Sequence, residues 1–408
     1  MARIAFALQL GAALGHVKAC SALAQPLALR GHRIAFILSE HHAPQGITGS
    51  GHELFSAPSG LGSPVSTSPA SYAEVLLNCG YRDLATLAPL AEPWRAPLEA
   101  WKPDLLVADF APTAMLAARA LGIPRIDYGS GFTIPPRLSP LPSFRFDEAV
   151  PAERIARADA QAAEAASGVS RAWGGEPIDS LAGLLQSDEE FLCTFPELDS
   201  YGQRPASGYW GPRFQASSGA RMAWPARGGK RVLVYMKRDY AHLDAVIDLL
   251  AASTLRVALF VEGLDAARRG RLEGPTRRAS DAPIRLDTLL DECDLVVSHG
   301  GELTTGTLSR GIPQLVFPLQ YEQYINARRV EQLGAGRWLA ATATKAQVAE
   351  ALAALLPGAG YAKAARAFAA RYPSFSPIEQ RRRMVARIEH LVRGGPILAA
   401  SPRQGKPE

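Results

Sequence analysis

Two histidines stand where an imidazole could do chemistry, each directly after an apolar run. His16 follows RIAFALQL within the segment GAALGHV, and His299 closes DLVVSH just before Gly300 and Gly301. A neutral imidazole can take a proton from an alcohol in the transition state, an effect worth roughly 10²–10⁴-fold in rate. An imidazole beside bare glycine amides can instead help to hold an anion such as a diphosphate. The two positions are therefore a candidate general base and a candidate phosphate site.

The segment after His299 predicts a helix whose start could bind an anion. Thr304 and Thr305 begin that helix, and Gly311-Ile312-Pro313 ends it. The free amides and the dipole of a helix N-terminus favour an anion by up to about 2 kcal/mol in partly buried sites. The same sequence is also consistent with a tight strand–helix turn and a surface histidine that bind no ligand. The residues alone leave that alternative open.

Asp109 is the candidate partner of His16, because it ends the apolar run LLVAD. Its carboxylate could accept a hydrogen bond from the Nδ1–H of His16 and so fix the tautomer. The helix predicted after His16 disfavours the imidazolium form and helps to keep the ring neutral. The alternative for Asp109 is a cap of the helix that follows it, a common role after a strand.

Strand–helix alternation in two halves predicts the elements that position these residues. The halves flank a segment rich in Gly, Pro, Ser and Arg, and both candidate sites follow strands. Such alternation favours parallel sheets with right-handed crossovers, in which ligands bind at the carboxyl ends of the strands. The predicted organisation is an N-terminal domain, a linker, a C-terminal domain, and a final helix and tail that could pack back on the first domain: residues 1–205, 206–228, 229–375 and 376–408.

Composition narrows the class of protein. The chain has 408 residues, 47% apolar and 20% charged, with a net charge of +5, which is ordinary for a globular protein of two or three domains. Its four cysteines are far apart and form no metal or disulfide pattern, which favours a reducing, cytoplasmic setting. No run of 18 apolar residues predicts a membrane span, and no nucleic-acid motif accompanies the basic segments. The N-terminus has some features of a signal peptide, but a strand–turn–helix fits it better.

The stretch from His299 to Arg329 resembles the donor-binding motif of GT-B glycosyltransferases, most closely the UDP-glycosyltransferase and macrolide-glycosyltransferase type. The ordered features are His-Gly-Gly, a threonine five residues after the histidine, Gly-Ile-Pro, an apolar strand, and then an acid–Gln pair. The resemblance implies two Rossmann-like domains with parallel sheets facing each other across a cleft. It also implies that the C-terminal domain holds the nucleotide-sugar, through His299, Gly300, Gly301, Thr304, Thr305, Glu322 and Gln323. In that family a histidine at the position of His16 is the base, and an aspartate at the position of Asp109 orients it.

The sequence departs from the family pattern at four places. Thr307 stands where members usually have a glutamate that binds the ribose, and Glu322 replaces the usual aspartate of the acid–Gln pair. Arg285 and Leu286 occupy the place of a base-stacking tryptophan, and MKRDY replaces a serine-rich turn. A deoxyribose donor such as a dTDP-sugar would miss the glutamate less, so we rank it alongside UDP-sugars.

The predicted function is an inverting, metal-independent glycosyltransferase of the hexosyltransferase class. It would move a sugar from a UDP- or dTDP-sugar to a hydroxyl of a small-molecule or lipid-like acceptor, as a monomer or homodimer and without a cofactor. The chain lacks an Asp-x-Asp pair, which agrees with charge neutralisation without a metal. Two rivals stay open: a non-catalytic auxiliary protein that partners a true transferase, and a sugar-nucleotide epimerase of related fold.

Overall fold

The computed structural model describes residues 1–11, 14–42, 47, 51–62, 64–204, 208–214, 219–238, 240–241, 243–280 and 282–395. The chain forms two compact units, which divide between Arg213 and Phe214 and again between Phe375 and Ser376. The first unit therefore contains both the N-terminal half and the last described helix. Parts of the predicted linker (206–207 and 215–218) and of the predicted tail (396–408) lie outside the described residues.

The first unit is built on a parallel sheet of six strands. The strands are β1 (Arg3–Leu8), β2 (Arg33–Leu38), β3 (Glu53–Ser56), β4 (Leu105–Asp109), β5 (Arg125–Gly129) and β6 (Glu189–Leu192). The helices are α1 (Leu14–Leu29), α2 (Tyr72–Asn78), α3 (Leu84–Trp101), α4 (Pro112–Ala120), α5 (Ala152–Ala172) and α6 (Leu181–Leu184), followed by a 3₁₀ turn (Pro196–Leu198). Both faces of the sheet are covered, as the unbroken apolar runs of its strands require.

Alternation along the strands sorts their side chains between two cores. Ile4 and Phe6 of β1 belong to a core shared with α1, whereas Ala5 and Ala7 belong to a core shared with α2 to α5. Successive side chains of a strand point to opposite faces, so one strand contributes to both cores.

The second unit repeats this plan with another parallel sheet of six strands. The strands are β7 (Arg231–Lys237), β8 (Arg256–Glu262), β9 (Arg277–Ser280), β10 (Leu295–Ser298), β11 (Gln314–Val316) and β12 (Gly336–Trp338). The helices are α7 (Leu243–Ala251), α8 (Ala266–Leu272), α9 (Asp287–Leu290), α10 (Leu303–Leu308), α11 (Tyr321–Gln332), α12 (Lys345–Leu355) and α13 (Ala359–Ala369). The last described helix, α14 (Pro377–Val392), belongs to the first unit and packs against α1.

The strand order places a switch point in the middle of each sheet. It is β3-β2-β1-β4-β5-β6 in the first unit and β12-β11-β10-β7-β8-β9 in the second. The order in which the chain adds strands to the sheet reverses between β1 and β4 and between β7 and β10. Ligands in such sheets bind at the carboxyl ends of those strands. The predicted fold class, two Rossmann-like α/β units with parallel sheets, is confirmed. Among the described helices, none is both long enough and apolar enough to cross a lipid bilayer.

Candidate active site

His16 and Asp109 meet at the switch point of the first sheet. His16 lies in the first turn of α1, which follows β1, and Asp109 is the last residue of β4. Nδ1 of His16 is 2.9 Å from Oδ1 of Asp109. A Cβ atom on Gly11 would lie 2.6 Å from the Nε2 atom of His16, and Gly11 has a φ of +83°. A glycine is therefore needed here for space and for backbone conformation, because its own hydrogen leaves room for the ring.

The geometry decides against Asp109 as a cap of α4. The N-cap residue of α4 is Ala111, which makes no side-chain capping hydrogen bond. The N–H of Thr113, in the first turn, donates instead to Oε1 of Gln9 at 2.9 Å. Both carboxylate oxygens of Asp109 bond elsewhere, one to His16 and the other to Arg213. The sequence left both roles open for Asp109, and the structure shows the contact with His16. The sequence offered no sign of Gln9.

Arg213 is a member of this cluster that the sequence did not reveal. Its Nη1 donates to Oδ2 of Asp109 at 2.8 Å, and its Nη2 lies 3.0 Å from Nδ1 of His16. The guanidinium is almost wholly buried and lies over the ring of Tyr128, 5.0 Å from its centroid. Arg213 falls inside the predicted linker, where nothing in the Gly-, Pro- and Ser-rich pattern distinguishes it from its neighbours.

The charges around Asp109 keep its carboxyl ionised. Complete burial on its own would raise the pKa of Asp109, but the positive charge of Arg213, and after it His16, hold that pKa well below its ordinary value. A carboxylate in this state accepts hydrogen bonds and does not supply a proton. Asp109 can therefore orient an imidazole throughout the usual working range of pH.

A second histidine lies beside the first. The rings of His42 and His16 meet edge to face with centroids 6.1 Å apart, and Nδ1 of His42 is 2.9 Å from Oγ of Ser39. Burial, and then the charge of His16, lowers the pKa of His42 to about 4. His42 also lines a cavity of about 580 Å³ together with residues of the β2 and β3 ends: Leu38, Ser39, Glu40, Leu54, Phe55, Ser56, Ala57 and Pro58. Most of this lining is apolar.

His299 lies at the switch point of the second sheet, directly after β10. Its Nδ1 is 2.7 Å from the carbonyl oxygen of Phe317, and its Nε2 accepts the backbone N–H of Lys237 at 2.9 Å. A carbonyl can only accept, so the proton of the neutral ring is on Nδ1. The ring thereby ties together the ends of β7, β10 and β11. A bond from Nε2 to a ligand would have to replace the bond from the Lys237 amide.

The turn after His299 differs from the expected helix start. The helix α10 begins at Leu303 and has six residues. The side chain of Thr304 is fully buried, and Thr305 donates its hydroxyl to the carbonyl of Glu302 at 2.8 Å. A Cβ on Gly301 would meet no atom within 4 Å. The backbone at Gly301, and not the hydroxyl of Thr304, is therefore the part of this turn with open space beside it.

The acid–Gln pair lies next to the glycine turn. Glu322 and Gln323 are in the first turn of α11, and Oε1 of Gln323 accepts the N–H of Leu319 at 2.8 Å. The side chain of Asn326 donates to the carbonyl of Gly300 at 2.8 Å, which docks α11 on the turn. His299, Gly300 and the pair are thus assembled in one place, with the exposed residues Lys237 and Arg238 at the end of β7. No group of His, Cys, Asp or Glu side chains with the geometry of a metal site occurs in the described part of the chain.

Comparison with known proteins identifies the family. Residues 265–386 match the family model "Erythromycin biosynthesis protein CIII-like, C-terminal domain". Over 310 residues the chain is 31% identical to the elloramycin glycosyltransferase ElmGT of Streptomyces olivaceus, and the match covers 70% of each protein. The chain belongs to the macrolide-type glycosyltransferases. Transferase activity, and the GT-B fold that the sequence predicted, follow from this membership.

Solved structures match this glycosyltransferase over nearly its whole length. The calicheamicin glycosyltransferase CalG4 is 18% identical with a TM-score of 0.68, and the match covers 96% of this chain and 99% of that one. The spinosyn rhamnosyltransferase SpnG complexed with thymidine diphosphate is 20% identical with a TM-score of 0.64, covering 96% and 100%. At these identities the likeness concerns the fold of the glycosyltransferase alone.

Proposed function

We propose that this glycosyltransferase moves a sugar from a UDP- or dTDP-sugar to a hydroxyl of a small-molecule acceptor, with inversion at the anomeric carbon. His16 is the general base and Asp109 its orienting partner. The acceptor oxygen attacks the anomeric carbon as Nε2 of His16 takes its proton, and the nucleoside diphosphate leaves from the opposite face. No metal takes part in the proposed step.

The observation that carries this proposal is the 2.9 Å contact between Nδ1 of His16 and Oδ1 of Asp109. With the proton on Nδ1, Nε2 carries the lone pair that would take the proton of a hydroxyl, and an ionised Asp109 stabilises the imidazolium that forms. The position of His16 in the first turn of α1 favours the neutral ring before reaction. The adjoining cavity of about 580 Å³, with its largely apolar lining, suits an apolar acceptor.

The donor half of the proposal rests on the turn that follows β10. Open space beside Gly301 lets a diphosphate approach the backbone, and Lys237 and Arg238 place two positive charges at the neighbouring strand end. The preference for a nucleoside diphosphate draws support from the neighbour that was solved with thymidine diphosphate. Gln323 and Glu322, at the start of α11, are the proposed partners of the sugar hydroxyls.

One observation favours the auxiliary-protein alternative. Thr307, which stands in place of the family's ribose-binding glutamate, is fully buried, and its hydroxyl donates to the carbonyl of Leu303 at 2.7 Å. This position therefore offers the ribose no group. A protein that had lost donor binding would keep the fold and yet release no nucleoside diphosphate.

The deciding experiment measures release of nucleoside diphosphate from UDP- and dTDP-sugars, with and without a panel of hydroxylated acceptors. The wild-type protein is expected to release it, and His16→Ala is expected to lower the acceptor-dependent rate by about 10²–10⁴-fold. Calorimetric binding of UDP and dTDP should be unchanged in His16→Ala, because the base does not hold the donor.

His41→Ala is the control for His16→Ala, because it removes the same side chain from an exposed position next to His42. It should retain the wild-type rate. No release by the wild type with any donor, or equal rates for His16→Ala and His41→Ala, would rule out the proposed role of His16. Absence of both nucleotide binding and release in the folded wild-type protein would favour the auxiliary protein.

A further inference from the structure

A third residue is built into the pair of His16 and Asp109. Arg213 is the last residue of the N-terminal segment of the first unit, 104 positions from Asp109 in the chain, and its side chain is only 5% exposed. One of its nitrogens holds Oδ2 of Asp109 at 2.8 Å and the other lies 3.0 Å from Nδ1 of His16. Burying a guanidinium costs free energy unless partners such as these compensate its charge.

We propose that Arg213 is a positioning residue of the transfer reaction: it fixes the Asp109 carboxylate and sets its charge against His16, so that the imidazole rests as the neutral, proton-accepting ring. The inference rests on the proposed function, since it concerns the same base. Arg213 does not touch the reacting atoms and acts through the two residues that it contacts.

The two contacts at Nδ1 of His16 exclude each other as hydrogen bonds. When Nδ1 carries the proton it donates to Oδ1 of Asp109, and Arg213 acts on the ring through its charge. When Nδ1 is bare it accepts from Arg213, and the proton moves to Nε2, where it blocks uptake of a proton from an acceptor. Only the first form is a base, and in it Arg213 opposes a second proton on the ring because like charges repel at this distance.

Four other ionisable groups that lie around this cluster in the described part of the chain are not cations near pH 7. The pKa of His42 is lowered to about 4, so His42 is neutral near pH 7, and burial raises the pKa of Tyr128 well above its usual value. Cys20 also contacts Asp109, with Sγ 3.6 Å from Oδ2. Asp127, which interacts with Asp109 through charge, is bonded to Arg137 at 2.6 Å. Arg213 thus places a positive charge in direct contact with both members of the pair.

The test reads the protonation of His16 without requiring turnover. In the full-length protein with ¹⁵N-labelled histidine, the ring signals of His16 are assigned by their loss in His16→Gln and titrated between about pH 5 and pH 9. Arg213→Met and Arg213→Gln both remove the charge, Gln keeping a donor for Asp109, and Arg213→Lys restores the charge. Arg204→Met is the matched control, because Arg204 forms a comparable buried pair with Asp199 at 2.9 Å.

Loss of the positive charge favours the imidazolium ring, so both neutral variants should raise the pH at which His16 titrates by about one unit or more. The acid limb of the pH profile of kcat/KM should move to higher pH by the same amount. Arg213→Lys should return both values toward the wild type, and Arg204→Met should leave them unchanged. If one neutral variant does not fold, the other supplies the measurement.

An unchanged titration of His16 in a folded neutral variant, or an equal change in Arg204→Met, would overturn the role of Arg213. The failures of the two proposals are distinguishable. A changed titration together with full transfer by His16→Ala would keep the effect of Arg213 on His16 but end the proposed function, and with it any part of Arg213 in the transfer. An unchanged titration with an inactive His16→Ala would have the opposite meaning.

Discussion

At the scale of single residues, two adjacent glycines serve different purposes in the turn after β10. Gly300 has a φ of +87°, and a Cβ there would lie 2.8 Å from the carbonyl oxygen of Gln323 and 2.9 Å from Cγ1 of Val316. Gly301 has no positive φ, and a Cβ there would meet nothing within 4 Å. Gly300 is therefore required by the fold, whereas Gly301 is required only if a ligand occupies the open space.

This pair provides a direct test of the donor site. Gly301→Ala is expected to leave the free energy of unfolding unchanged and to raise the Kd of UDP or dTDP about tenfold or more, because the new methyl group occupies the ligand's approach. Gly300→Ala should instead destabilise the protein by more than about 1 kcal/mol. Calorimetric titration and urea unfolding measure the two effects. Wild-type nucleotide affinity in Gly301→Ala would show that no ligand approaches this backbone.

His42 gives the stability of the protein a dependence on pH. Its pKa is about 4 in the folded protein and about 6.5 in an unfolded chain, so the unfolded chain binds more protons between these values. The free energy of unfolding should fall as the pH is lowered from about 6.5 toward about 4. In His42→Asn this part of the dependence should be absent, whereas the exposed His41→Asn should behave as the wild type. Urea unfolding at several pH values measures it, and parallel curves for the wild type and His42→Asn would contradict it.

At the scale of elements, helix α14 completes a core that the N-terminal half leaves open. Met384, Val385 and Ile388 are buried in the same cluster as Phe6 of β1 and Leu23 of α1. Arg387 adds a buried ion pair to Glu189 of β6, with Nη2 2.6 Å from the carboxylate. The apolar residues of α14 recur with the period of a helix and so form one face. This face stabilises the unit that carries His16 and Asp109.

Two isoleucines of α14 separate packing from helix propensity. Ile388→Ala removes a fully buried side chain and should lower the free energy of unfolding of the first unit by about 2–5 kcal/mol. Ile378, in the same helix, is 72% exposed, and Ile378→Ala should change that free energy by less than about 0.5 kcal/mol. Denaturant unfolding followed by tryptophan fluorescence compares them, and equal losses would refute the packing of α14 described here.

At the scale of the whole molecule, the same placement of a candidate site in a parallel sheet occurs twice. Each unit places its candidate site where the strand order reverses, after β1 and β4 in the first and after β7 and β10 in the second. The connections that leave the carboxyl ends of the two adjacent strands run there to opposite faces of the sheet, and a crevice results between them. In our proposal, the same geometry serves proton transfer in one unit and anion binding in the other.

The local pattern of the sequence determined the α/β class and the two parallel sheets, and it made Asp109 a candidate partner of His16 without excluding a helix cap. Apolar runs form buried strands and residues that end neighbouring parallel strands meet at one edge, so these features follow from short stretches of chain. The tertiary structure alone decided that Arg213 joins that pair, that Gln9 caps α4, that Thr304 is buried and that both nitrogens of His299 are engaged. Those contacts link residues far apart in the chain or depend on the direction of a side chain, and neither composition nor periodicity encodes such information.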